Sequence, residues 1–129
     1  MKKVFLGGTC NDSDWRDVLI SALRIDYFNP VVPDWTEECY QRELREREEC
    51  DYCLYVITPK MTGVYSIAEV IDDSNKRPEK TVFAFLFEDD GITFDVGQIR
   101  SLDRVGRMVE SNGGNYCKCL LQVADLLNS

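Results

Sequence analysis

Tyr52-Cys53-Leu54-Tyr55-Val56-Ile57-Thr58, closed by Pro59, is a nearly continuous apolar run. A strand with one wet face alternates apolar and polar residues. A run without alternation predicts a strand buried on both faces, as in the middle of a parallel sheet. Downstream, after the loop Lys60-Met61-Thr62-Gly63, Ile67, Val70 and Ile71 recur at helical spacing. A turn at residues 75–79, with Pro78, follows, and residues 81–87 form a second buried run. An acidic turn at residues 88–91 precedes a helical pattern at 96–111, then Gly113-Gly114 and a last helix near 116–127.

Upstream, residues 3–7 are a short apolar run ending in Gly7-Gly8-Thr9, and Trp15, Leu19, Ala22 and Leu23 repeat at helical spacing, with Asp12 or Ser13 as cap. Residues 27–32 are extended, but Pro30 and Pro33 confine them to a short or edge strand. Asp34 and Glu37 match a capping box for a charged, solvent-facing helix over residues 36–49, in which Glu43 and Arg47 are spaced as an i,i+4 pair. Strands alternating with helices predict an α/β fold. It is doubly wound and flavodoxin/Rossmann-like, a three-layer sandwich with a four- to five-stranded parallel sheet in one domain over residues 1–129. Right-handed crossovers bring the loops at residues 7–14, 32–36 and 58–69 to one edge, where such sheets bind ligands.

Composition narrows the function. A net charge of −8 opposes binding to a nucleic acid polymer and suits a small neutral or lightly charged ligand. No apolar stretch has the length of a membrane span, and residues 4–6 read as the start of a buried strand rather than a leader. The expected location is the cytoplasm. The chain has six cysteines and no histidine. Cys50-Asp51-Tyr52-Cys53 is formally CxxC but lacks a second ligand pair, so reduced structural thiols and no metal site are expected. Without histidine, Ser-His and Cys-His nucleophile pairs are excluded, and acid–base work falls to Asp, Glu, Tyr, Cys or Lys.

The candidate residues sit in the three loops. Gly7, Gly8 and Thr9 form either a tight turn or a place where a ligand meets backbone; they complete neither a dinucleotide fingerprint nor a P-loop. Trp35 offers a flat face for a base. Asp34 is a helix cap, a hydrogen-bond acceptor for that base, or both. Glu69 lies one or two turns into its helix, off the Ile67–Val70–Ile71 face, where a plain surface glutamate would also sit. Its context is Gly63-Val64-Tyr65-Ser66-Ile67-Ala68-Glu69: Gly63 permits an unusual backbone, Ser66 offers a hydroxyl and a helix N–H, and Ala68 keeps the surface low beside the carboxylate.

In order, Val4-Phe5-Leu6-Gly7-Gly8-Thr9, Cys50-Asp51-Tyr52, Ser66-Ile67-Ala68-Glu69-Val70 and the strand at residues 80–87 resemble the nucleoside 2-deoxyribosyltransferases and their relatives. The stretch from Asn29-Pro30 to Asp34-Trp35 resembles a deoxyribosyltransferase-like branch of them. That resemblance implies that Glu69 is the nucleophile and Asp34 an acid or base contact. It places Asp51 and residues 32–35 beside the nucleoside and lets Trp15 or Gln41 line the pocket. The family carries Tyr where this chain has Phe5, and Asp where it has Gly63; Tyr65 or Asp34 is the replacement to look for. The implied reaction opens the N-glycosidic bond of a 2-deoxynucleoside through a glycosyl–enzyme ester, passes the sugar to another base, and needs no cofactor. The alternatives are hydrolysis of a deoxynucleoside monophosphate, with Ser66 and residues 7–9 on the phosphate, and a non-catalytic nucleotide-binding or TIR-like interaction module. The resemblance also implies a homo-oligomer, in which the stripe Cys119, Leu120, Val123, Leu126 and Leu127 either takes part or packs on its own sheet.

Overall fold

A computed structural model describes residues 1–10 and 12–129. The strands β1 (Lys3–Gly8), β2 (Asp26–Phe28), β3 (Tyr52–Ile57), β4 (Thr81–Phe85) and β7 (Asn115–Tyr116) form one parallel sheet in the order β2-β1-β3-β4-β7. Between them run α1 (Trp15–Ile20), α2 (Glu37–Glu49), α3 (Tyr65–Lys76) and α4 (Val96–Ser111), and α5 (Leu120–Asn128) follows β7. The strands β5 (Glu88–Asp89) and β6 (Ile92–Thr93) make a small antiparallel hairpin in the acidic turn.

Burial on both faces explains the apolar runs. Leu54 and Val56 point to one side of the sheet with Val4, Leu6, Val82 and Ala84, under Trp15 and Leu19 of α1 and Val123 and Leu127 of α5. Cys53, Tyr55 and Ile57 point to the other with Phe5, Phe83 and Phe85, under Val70 of α3 and Leu102 and Val109 of α4. The result is the three-layer sandwich expected from the sequence. The C-terminal stripe packs on its own sheet through Val123 and Leu127, both fully buried.

Several boundaries differ from the sequence reading. Asp14, not Asp12 or Ser13, precedes α1, and it makes no side-chain cap bond; the Ser13 hydroxyl donates to Asp89 instead. The cap of α2 is Thr36, whose hydroxyl accepts from the Cys39 N–H at 3.2 Å, so Asp34 lies outside the helix. This register places Trp35 just before the cap, where its ring meets Tyr40 in the first turn at 5.6 Å as a hydrophobic staple. Pairing with Asp34 as cap would have drawn Trp35 into the helix and parted the rings. Thr36→Ala is therefore expected to lower stability by about 1 kcal/mol in urea denaturation, and Asp34→Ala by less than about 0.5 kcal/mol. Equal losses would return the cap to Asp34.

The helix α2 is also less solvent-facing than its charge suggests, because Arg47 is buried. The strand β4 stops at Phe85, and α5 starts at Leu120 because Asn115–Tyr116 pairs with β4 as the fifth strand. No helix of the described residues is long and apolar enough to cross a membrane.

Candidate functional site

The strand order reverses direction between β1 and β3, and the carboxyl ends of strands flanking such a reversal are where open α/β sheets bind ligands. A cleft of about 290 Å³ opens there. Its floor is Phe5, Gly7 and Gly8 of β1; its walls are Pro30, Val31, Val32 and Trp35 on one side and Ser66 and Glu69 of α3 on the other. Glu43 of α2 and Arg16 of α1 complete it. A smaller hollow of about 180 Å³, lined by Gly8, Thr9, Met61, Gly63, Tyr65, Ser66 and Glu69, adjoins it. Gly8, Ser66 and Glu69 line both, so Glu69 stands at the junction.

Gly8 is built for this position. Its φ is +116°, and a Cβ would come within 2.0 Å of the Val56 carbonyl oxygen. Only glycine lets β1 turn so close to β3. Thr9 then fixes the turn: its N–H donates to Val56 O at 2.9 Å and its hydroxyl accepts from Thr58 N–H at 3.0 Å.

The Glu69 side chain is only 12% exposed, and Arg47 Nη1 lies 3.5 Å from its Oε2. Burial pushes its carboxyl up to about 7; Arg47 pulls it down, while Glu43 and Asp73 push it further up. Arg47 is held from behind. Its Nε and Nη2 donate to Asp73 at 3.2 and 3.0 Å, and Nη2 also reaches Asp72 at 3.2 Å. Asp73 is fully buried and also accepts from the Tyr55 hydroxyl and from Arg77 at 2.8 Å. Burial works against the Arg47 charge, but the Asp73 hydrogen bonds and the acidic neighbours raise its pKa above the ordinary arginine value.

Glu43 lines the same cleft. Burial raises its carboxyl pKa, against a hydrogen bond from Trp35 and the attraction of Arg47. Arg16 is different: its guanidinium donates to the backbone carbonyls of Leu6, Thr9 and Gly8, at 3.0, 2.6 and 3.3 Å. No carboxylate pairs with it among the described residues, and burial lowers it to about 10.

Of the residues singled out from the sequence, Gly7, Gly8, Thr9, Trp35, Gly63, Tyr65, Ser66 and Glu69 line one hollow or the other. Four do not. Trp15 is 1% exposed on the opposite face of the sheet, where its indole N–H donates to Thr9 O at 2.7 Å and shapes the loop from behind. Asp51 precedes β3 at the amino edge of the sheet and accepts from the Lys3 N–H at 2.8 Å, at the far end from the cleft. Gln41 is exposed and donates to Glu37 on the outer side of α2 at 3.0 Å. Asp34 is exposed beyond the cleft wall. Phe5 stacks on Phe28 at 5.8 Å and has no hydroxyl to offer Glu69; Arg47 lies 3.5 Å from that carboxylate instead.

Arg16 and Asp73 escaped the sequence reading, and Glu43 and Arg47 entered it only as an i,i+4 pair on a solvent-facing helix. One signal was available: Glu43 and Arg47 on one helix, and Glu69 and Asp73 on the next, repeat the same i,i+4 spacing. Cys50 and Cys53 are buried, with burial pushing both thiols up to about 12, so neither is a thiolate near neutral pH.

Two larger hollows, of about 530 and 550 Å³, flank α4. They have mostly apolar walls, and neither holds a pair of facing carboxylates. Volume alone does not make a site; convergent polar groups with shifted pKa values do. A family model described as nucleoside 2-deoxyribosyltransferase like matches residues 1–83, a stretch that contains every residue lining the two adjoining hollows at Glu69. No curated protein matches the chain.

Proposed function

The chain belongs to the nucleoside 2-deoxyribosyltransferase-like family, and we propose that it opens the N-glycosidic bond of a 2-deoxynucleoside with Glu69 as nucleophile. The observation that carries this reading is the placement of Glu69: a buried carboxylate beside Arg47, at the junction of the cleft and the small hollow that adjoins it. A base fits against Trp35, Val31 and Val32, and the sugar lies over Glu69 with Ser66 beside it. The carboxylate attacks C1′, the C1′–N bond breaks through an oxocarbenium-like transition state, and an ester to Glu69 forms. A second base or water then resolves that ester. Arg47 supports the reaction by favouring the ionised nucleophile and fixing its direction of attack.

The test is direct. The protein is incubated with deoxyadenosine and a free pyrimidine base, and bases and nucleosides are followed by chromatography. Exchange of one base for the other is the expected outcome; an inert protein overturns the proposal. The pH dependence carries a sign. Glu69 must be ionised to attack, and its pKa is near 7, so kcat/KM should rise about tenfold per pH unit below that value. A flat profile between pH 5 and 7 would remove Glu69 from the chemistry.

A second reading, hydrolysis of a deoxynucleoside monophosphate, is favoured by Arg16. A buried guanidinium that pairs with no carboxylate among the described residues, lining the cleft, suits an anionic group on the ligand. Release of adenine from dAMP without an acceptor base, faster than from deoxyadenosine, distinguishes it.

A further inference from the structure

The reaction proposed above needs a second group. The nitrogen of a departing base carries the electron pair of the broken bond, and a neutral adenine leaves far better when protonated. The sequence pointed to Asp34 for this, but Asp34 lies outside the cleft. We infer that Glu43 is the acid and base of the reaction, lining the same cleft as the nucleophile Glu69. This rests on Glu69 acting as the nucleophile.

Three observations converge. Glu43 and Glu69 line the same cleft from different helices, α2 and α3. Glu43 shares the cleft with Trp35, the side chain best shaped to carry a base. Glu69 also lines the small adjoining hollow, where Thr9, Tyr65 and Ser66 offer hydroxyls to a sugar. The roles then follow from position. Nucleophilic attack comes from the carboxylate next to Arg47, 3.5 Å away. Proton donation comes from the carboxyl beside the base.

In the first half-reaction a Glu69 oxygen bonds to C1′, the C1′–N pair passes to the base, and Glu43 gives that base its proton. In the second, the Glu43 carboxylate takes the proton from the incoming base N–H, or from water, as that nucleophile displaces Glu69 from C1′. Each cycle ends with Glu43 protonated and Glu69 ionised. The active form holds one proton between the two carboxyls, which titrate as a pair. The charged groups around Glu43 are Arg47 on its own helix, Glu69 on α3 and Arg16 on α1, with Asp73 behind Arg47. Its half-buried position opposes its ionisation, and Arg47 favours it. An alkaline limb in the rate profile is the consequence.

The experiment compares two substrates. Deoxyadenosine needs a proton on its leaving base; 7-methyl-2′-deoxyguanosine already carries the positive charge. Glu43→Gln is isosteric and should reduce kcat/KM on deoxyadenosine by about 100-fold or more, and on the methylated substrate by less than about fivefold, with loss of the alkaline limb. Glu43→Asp should restore part of the deoxyadenosine rate. Equal losses on both substrates would make Glu43 structural and overturn the inference. Wild-type protein inert toward both substrates would overturn the nucleophile reading itself, and the inference with it. If Glu43→Gln fails to fold, Glu43→Asp is compared with the wild type on both substrates: a loss confined to deoxyadenosine supports the assignment, and equal losses on both substrates count against it.

Discussion

Arg47→Met lowers folding stability by about 3 kcal/mol or more, the expected effect of removing one partner from a buried charge cluster. The Arg47 side chain is 5% exposed and meets three carboxylates, those of Glu69, Asp72 and Asp73. Methionine fills comparable space, so packing changes little, but Asp73 then keeps only Arg77 and Tyr55 as partners. Asp73 is fully buried, and a carboxylate there without its main cation is expensive to hold. Against a total stability of ~5–15 kcal/mol for a domain of this kind, such a loss is a large fraction. Arg47→Lys should recover only part of it, because one ammonium cannot serve Nε and Nη2 bonds at once. The measurement is equilibrium urea unfolding at pH 7. A loss below about 1 kcal/mol would mean that Arg77 alone neutralises Asp73. Glu69 offers an independent check: Arg47 holds its pKa down, so in folded Arg47→Met the acid limb of the activity profile should move to higher pH.

That cluster marks the boundary of what the sequence disclosed. Strands such as Tyr52–Ile57 announce themselves because burial on two faces leaves no room for polar residues. The order of runs and helices then determines the sheet and the edge at which loops meet. Two residues, Asn115 and Tyr116, are too few and too polar to read as a strand, and only pairing with Val82 and Phe83 makes them one. The α2 cap was misread because Asp34 and Thr36 are both good cap residues, and the contact of Trp35 with Tyr40 decides between them. Charged helices are the hardest case. In sequence, the run Glu37–Glu49 looks the same whether Arg47 faces water or a buried aspartate. What betrays it is Asp73, three residues beyond Val70 on the buried side of α3, where an unpaired carboxylate would be intolerable. Asp51 failed for a topological reason: a residue that opens a parallel strand lies at the edge opposite the ligand.

Glu69→Gln should reduce base exchange by at least about a thousandfold, as the loss of a covalent nucleophile does, and at the same time make the protein more stable above pH 7. The second effect follows from burial. A glutamate in water loses its proton near 4.5, whereas in the fold burial pushes Glu69 up to about 7. The folded state therefore prefers the neutral acid. Whatever stability that preference gives is fully present below pH 4.5 and is lost as the pH rises through 7. With ~1.4 kcal/mol per pH unit, the ionised side chain costs the fold up to about 3 kcal/mol at pH 8. Glutamine has the shape of the protonated acid and never ionises. The variant should match the wild type at pH 4 and exceed it by roughly 2–3 kcal/mol at pH 8, read from urea unfolding at the two values. A nucleophile kept where its charge is poorly solvated is also a reactive one, so lost activity and gained stability have the same cause. If glutamine instead destabilises the protein at pH 8, the attraction of Arg47 outweighs burial, and Glu69 is a structural ion-pair partner rather than a carboxylate poised to react.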